Sequence, residues 1–330
     1  MPIPNFGISW RLRVRTSPVA GSQTVITVAT PDNLSDPDNP SGRNQNPWAW
    51  EPLQIEFEVR QSIGPAGAIG GFWFADIAIY NLNDPTTNIL LTQGMGVELE
   101  AGFQAGIFGT IFEGTLFQAT WERIEGITTK LTLHCIVGIV ETTNNFISLN
   151  SAAGLTQRQI IARMAAGAAY PLDSSNVNLP DTTVTSRGEV YFNQPDKYFL
   201  QTAIETQTNF WISNMAVNIR ALVDAETVPV LEVSPETGLI GTPQQTQDGV
   251  ELKILLNANA LLRTKVQLSP NTAINQLVRQ QGTFPTILDQ KGTYSIAAIT
   301  HRGNSRGNEW FTFITGITSI GSRLGLQTND

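Results

Sequence analysis

Leu53, Ile55, Phe57 and Val59 alternate with Gln54, Glu56 and Glu58. A period of two fits an extended strand with one buried face and does not fit a helix. The same period recurs over residues 8–16, 23–30, 70–82, 97–101, 110–121 and 130–140, so about seven short strands are predicted in the first 145 residues. Gly-rich turns between them point to a small barrel or sandwich. Residues 31–47 interrupt the pattern with Asp, Asn, Pro, Ser and Gly and almost no apolar side chains, which predicts a long exposed loop, extended to about residue 50.

The period changes in the middle of the chain. Thr156 and Gln159 stand at capping-box spacing, Leu155 and Ile160 are placed as a hydrophobic staple, and Gly167 suits a C-terminal stop. A helix over this stretch carries Ile160, Ile161 and Met164 on one side. A second helix is predicted from Pro195 and Asp196, with Phe199, Leu200, Ala203 and Ile204 as its apolar face. Strands at 209–214 and 217–222 follow. Residues 146–232 therefore read as a small α/β domain, between a first β-domain at 1–145 and a second at 233–330.

In the last hundred residues, strands are predicted at 250–256 and 265–268, with a hairpin of 294–301 and 310–317 across the polar turn 302–308. A short helix is predicted at 271–281. The two β-rich ends resemble each other. Gly109–Leu116 followed by Lys130–His134 corresponds to Gly292–Ile299 followed by Trp310–Phe313, with Leu131-Thr-Leu133 matched to Phe311-Thr-Phe313. Upstream, Val97-Glu-Leu99 corresponds to Val266-Gln-Leu268. Two similar barrels per chain, in a trimer, would present six similar units around an axis and so join a threefold object to a sixfold one.

Charged residues make up only 15% of the chain, against about 25% in ordinary soluble proteins. The shortfall is filled by neutral polar residues, which suits a surface packed against neighbours. A net charge of −8 argues against holding a phosphate backbone, which needs clustered cations. Arg11, Arg13 and Arg15 share one face of a strand, read as its wet or subunit-facing side. With Cys135 the single cysteine, no intrachain disulfide can form, and a buried inert thiol is expected. The start of the chain lacks a signal-peptide pattern, and no apolar run reaches bilayer length. Synthesis and assembly in a cytoplasm without membrane insertion are expected.

Enzyme chemistry finds few reacting groups. Glu56 with Glu58, and Glu98 with Glu100, sit at i, i+2 and could bring two carboxyls to glycosidase-like separation. The solvated or lumen face of a barrel strand is the preferred reading for both pairs. His134 and His301 lack the Cys or His companions of a zinc site, and Gly64–Gly71 lacks the Lys and Ser/Thr of a phosphate loop. No catalytic, cofactor or metal residues are assigned. A glycan hydrolase and a carbohydrate-binding adhesin stand as alternatives.

Residues 234–257, the stretch 292–310, and Tyr80–Pro85 with Gly94–Phe103 and Ile111–Gly114 together resemble the baseplate hub proteins of contractile phage tails, of the late control protein D and VgrG-hub type. The resemblance implies a fold that is mainly β, with two related, tube-like β-barrels about the α/β middle domain. It further implies a non-enzymatic homotrimer in the virion's tail baseplate. Such a trimer would adapt the hexameric tail tube to the central spike, among other baseplate proteins, and let DNA pass during genome ejection without specific binding. Trp48, Trp50, Phe72 and Trp73 are candidate subunit or tube contacts, with core packing the competing reading for the last two.

Overall fold

The computed structural model describes residues 7–15, 25–29, 53–63, 73–91, 96–104, 106–137, 146–167, 174–175, 177–179, 186–206, 208–213, 216–220, 229–246, 249–262, 264–269 and 292–317. The expected loop near 31–50, the helix at 271–281, the Gly-rich turn at 64–71, and Trp48, Trp50 and Phe72 lie outside the described residues.

Among the described residues, seven strands precede the middle region: β1 (Ile8–Arg15), β2 (Val25–Ala29), β3 (Ile55–Ser62), β4 (Trp73–Tyr80), β5 (Gly96–Phe103), β6 (Phe108–Ile124) and β7 (Thr128–Ile136). The period-two rows account for them. Ile55, Phe57 and Val59 of β3 are 4% exposed or less, as are Trp10, Leu12 and Val14 of β1. Each such side chain stabilises the fold by about 1.5–3 kcal/mol through burial. Between β4 and β5 lies α1 (Asp84–Leu90), a helix that alternation does not predict. The Asn83 side chain accepts the Thr86 N–H and caps it, and a proline occupies its first turn.

The middle region holds β8 (Ile147–Ser151), α2 (Gln157–Ala166), β9 (Glu189–Asn193), α3 (Pro195–Glu205), β10 (Asn209–Ser213) and β11 (Ala216–Arg220). The predicted capping box is present: Thr156 accepts from the Gln159 backbone, and the Gln159 side chain accepts from the Thr156 backbone. Gly167 closes the helix. Phe199 and Ala203 of α3 are buried as expected, but Ile204 is exposed and Thr202 is buried in its place. Two small antiparallel sheets, β8 with β9 and β10 with β11, complete this α/β layer.

The last set comprises β12 (Val230–Val233), β13 (Gln244–Gln245), β14 (Gly249–Leu255), β15 (Lys265–Leu268), β16 (Thr293–Asn304) and β17 (Trp310–Ile317). The period-two pattern does not predict β12; it runs parallel to β15, so the set begins at Val230.

The strand order repeats. In the first set it is β3-β4-β7-β6-β5, and in the second β13-β14-β17-β16-β15, every neighbour antiparallel. The registers repeat too. Thr115 of β6 faces Ile136 and Gly96, while Ser295 of β16 faces Ile317 and Lys265. Val97 therefore matches Val266, as the sequence predicts. The β6/β16 match, however, lies three residues from the predicted one, and the β7/β17 match lies one residue from it. The sixth strand differs, since β1 is antiparallel to β5 where β12 is parallel to β15. The two sets are not separate sheets. β3 pairs along Glu56–Ser62 with Ala298–Asn304 of β16 and joins both into one sheet, 13-stranded among the described residues.

Candidate interaction surfaces

The junction of the two sets is where Glu56 and Glu58 lie. Glu56 accepts from the Tyr80 hydroxyl at 2.7 Å and from Asn304 Nδ2 at 2.7 Å. Glu58 accepts from Arg60 Nε at 2.5 Å and Arg302 Nη2 at 3.0 Å. Desolvation works to raise the Glu58 pKa, yet hydrogen bonds from the two arginines outweigh it and hold the carboxyl below its usual range. Burial, reinforced by Glu56, pushes Tyr80 up to about 12. A glycosidase needs one carboxylic acid that keeps its proton, and Glu58 is driven the other way. On the far side of the junction, Phe57 meets Trp310 edge-on at 5.2 Å, and Trp310 Nε1 donates to the Gly102 carbonyl of β5 at 3.0 Å.

The second carboxylate pair is engaged differently from the expectation of a solvated or lumen face. Glu100 stands directly opposite Arg11, and Glu98 opposite Arg13, across the β1–β5 ladder. Arg11 and Glu100 form an ion pair; Arg13 reaches Glu98 at 3.0 Å and Glu100 at 3.7 Å, and Arg15 reaches Glu98 at 3.2 Å and Glu113 at 3.6 Å. The Glu98, Glu100, Arg11 and Arg13 side chains are only 12–15% exposed. Burial and the neighbouring Glu98 raise the Glu113 pKa above the ordinary carboxylate value. Opposite charges at matching i, i+2 spacing on β1 and β5 lock the strands together. That spacing of Arg11, Arg13 and Arg15 against Glu98 and Glu100 is legible in the sequence, and reading each group by itself misses it.

Cys135 is 1% exposed, as the sequence leads one to expect, and burial raises its thiol pKa well above the usual value, which favours the neutral thiol over the thiolate. His134 contacts Asp76 at 2.6 Å near the surface, whereas His301 is buried against the Thr312 hydroxyl at 2.9 Å. Among the described residues no group of three His, Cys, Asp or Glu is placed to hold a metal, and no helix is long and apolar enough to cross a membrane. Trp73 is 4% exposed in the core, which leaves it little surface to offer a partner.

Exposed apolar side chains gather elsewhere. Phe117 is 54% and Trp121 44% exposed on β6, and Ile127 is 90% exposed at the turn that follows. In the middle region Phe146 and Phe192 stack at 5.9 Å on the surface. Beside them lies a groove of about 460 Å³ lined by Glu189, Tyr191, Tyr198 and Glu205 among others. No periodicity or motif in the sequence singles these residues out.

Three solved structures share this architecture. One is a tail protein from Neisseria meningitidis MC58, with a TM-score of 0.53 and 10% identity, covering 95% of this chain and 97% of its own. The second is the 43 kDa tail protein of prophage MuSo2 from Shewanella oneidensis, with a TM-score of 0.51 and 8% identity over 82% of this chain and 98% of its own. The fold is that of phage-tail proteins. The third is the E. coli c3393 protein, described as a component of the type VI secretion system with structural similarity to the T4 bacteriophage tail proteins gp27 and gp5. It has a TM-score of 0.50 and 10% identity, over 81% of this chain and 74% of its own. No protein-family model and no curated protein matches the sequence.

Proposed function

We propose that this chain is a structural, non-enzymatic hub of a contractile phage-tail baseplate. Three copies would present six similar strand sets around an axis, meet the hexameric tail tube on one side, hold the central spike on the other, and leave a channel for DNA. One observation carries the reading: β3-β4-β7-β6-β5 and β13-β14-β17-β16-β15 repeat one order and one register within a single chain. A duplicated unit is what a threefold assembly needs in order to imitate a sixfold one. The likeness of fold to tail proteins supports it. So does the net charge of −8, which offers a passing phosphate backbone no cationic hold.

The test is the mass of the native assembly, by light scattering or native mass spectrometry, for the chain alone and with its tail-tube and spike partners. A trimer in either sample is expected. A chain that stays monomeric with both partners present overturns the hub.

One observation favours a second reading, a carbohydrate-binding adhesin. In the middle groove Tyr191 donates to Glu189 at 2.5 Å and meets Tyr198 at 5.0 Å, and aromatic faces flanked by carboxylates suit sugar rings. Glycan-array binding lost on Tyr191→Ala would support it, and an array without binders removes it.

A further inference from the structure

The groove in the middle region is bounded by a strand edge. All five residues of β9, Glu189–Asn193, line it. Neighbouring residues of a strand point to opposite faces, so a groove that touches all five touches them along the edge. β9 pairs on its other edge with β8, and with no further strand among the described residues. Across the groove stand Tyr198, Gln201 and Glu205 of α3, spaced as one stripe of a helix. Soluble proteins usually blunt an unpaired edge with Lys, Pro or a bulge. Glu189–Asn193 holds no Lys or Pro, and its ladder with β8 runs through five pairs without a register shift.

The two ends of the groove differ in chemistry. Five strand residues span about 17 Å, and the eleven residues of α3 span about 16 Å. The chain turns between them at Gln194, so Glu189 and Glu205, which both line the groove, flank the end far from the turn. Two residues in from Glu189, Tyr191 meets Tyr198 at 5.0 Å. Gln201 donates to Glu205 at 2.8 Å, and Gln157 Nε2 lies 3.5 Å from it. No lysine or arginine lines the groove among the described residues. Glu205 also stands in the last turn of α3, where the helix dipole disfavours an anion. Towards the turn the lining becomes apolar, with Ile147 opposite Asn193 in the ladder and buried Pro195 at the start of α3.

We infer that the groove takes an extended segment of another protein, added to β9 as a third strand, with a Lys or Arg side chain between Glu189 and Glu205. The strand edge supplies main-chain hydrogen bonds, and the two ends of the groove supply selection among side chains. The cation lies against the faces of Tyr191 and Tyr198. An apolar side chain two or four residues away, on the same face of the added strand, meets Ile147 and Pro195. A sugar could use the rings and the carboxylates, but it has no regular row of donors and acceptors to match five residues of strand edge. The inference goes beyond the hub reading, which uses the two strand sets and gives the middle region no task.

The probe is a displayed library of random linear nonapeptides, selected on the full chain. Enriched sequences are expected to carry a Lys or Arg with an apolar residue two or four positions from it. Fluorescence anisotropy of an enriched peptide should show binding weakened at least about tenfold in the chain carrying Glu189→Gln and Glu205→Gln, with its circular dichroism unchanged. N-methylation of every second peptide amide should abolish binding in one phase and spare it in the other, because only one set of amides faces β9. A library that enriches nothing, a binder indifferent to the double variant, or one equally sensitive in both phases overturns the inference. A glycan that binds where no peptide does gives the groove to the sugar reading. Selection needs no trimer, so its failure leaves the hub reading untouched, and a chain that stays monomeric leaves this inference standing.

Discussion

Phe117 and Ala297 hold equivalent places in two strands of one chain. Each is the residue left over in its strand's ladder with the next strand, and each is followed by a run in the same register, seven residues in β6 and six in β16. A skipped residue adds twist and lets one strand serve two partners, which is how β16 reaches both β15 and β3.

Deleting either residue turns every following side chain to the opposite face. At Ala297 this brings Ile299 and His301 outward and the Thr300 and Arg302 side chains inward. A loss of more than about 4 kcal/mol is expected, seen as a collapse of the urea midpoint. At Phe117 the residues that turn are largely exposed already, so a loss of about 1–2 kcal/mol is expected. Equal losses would show that β16 depends on its bend no more than β6 does.

Gly303 lies where the two strand sets meet. A Cβ there would stand 2.3 Å from Phe57 Cζ and 2.7 Å from Trp310 Cζ3, and both rings are 4% exposed. Gly303→Ala should destabilise the chain by about 1–3 kcal/mol through overpacking. Adding Phe57→Leu should recover part of that loss, because the two changes share one space. Chemical denaturation of the four members of the cycle checks this, and strictly additive losses count against it.

Much of this was legible from the residues. Seven strands, a capped helix, a second helix begun by proline and a closing hairpin follow from period and capping chemistry. Register was not, because the skipped residues break the alternation: Ile111 and Phe112 of β6 are adjacent and both buried. A match carried across such a break loses its phase. β8 and β9 leave no mark in the sequence, because β9 shows an almost wholly exposed pattern and its partner lies some 40 residues earlier. The carboxylate pairs are visible in the sequence, but their partners are not. Arg302 and Asn304 reach Glu58 and Glu56 from about 250 residues away, a distance over which local spacing says nothing.

Glu98 is the centre of the ladder that ties β1 to β5 and β6. It accepts from Arg13 and Arg15 and lies near Thr110 Oγ1 at 3.4 Å. Glu98→Gln should cost about 1–2 kcal/mol, less than a fully buried pair because Arg15 is over a third exposed and Glu100 remains beside Arg13. A double-mutant cycle with Arg13→Met should return a coupling of about 1 kcal/mol. The coupling should change little between low and high salt, since the Arg13 and Glu98 side chains are mostly shielded from solvent. A coupling near zero would reduce the ladder to a surface decoration.

His301 makes stability depend on acid. It is buried in the middle of β16 with Nδ1 2.9 Å from the Thr312 hydroxyl, which itself accepts the Asn257 N–H. Burial disfavours the charged imidazolium and lowers the pKa from 6.5 to about 3. Below pH 6.5 the unfolded chain takes up a proton at this site that the folded chain refuses. Stability contributed by neutral His301 is therefore complete above pH 6.5 and is lost as pH falls towards 3, at up to about 1.4 kcal/mol per pH unit. His301→Leu leaves nothing there to titrate. Urea midpoints measured between about pH 7 and pH 4 should fall less steeply for the variant, so that any deficit it has at neutral pH shrinks or reverses in acid. Parallel curves for the two proteins would mean that the folded chain admits the proton, and that the β16–β17 packing opens to solvent around this ring.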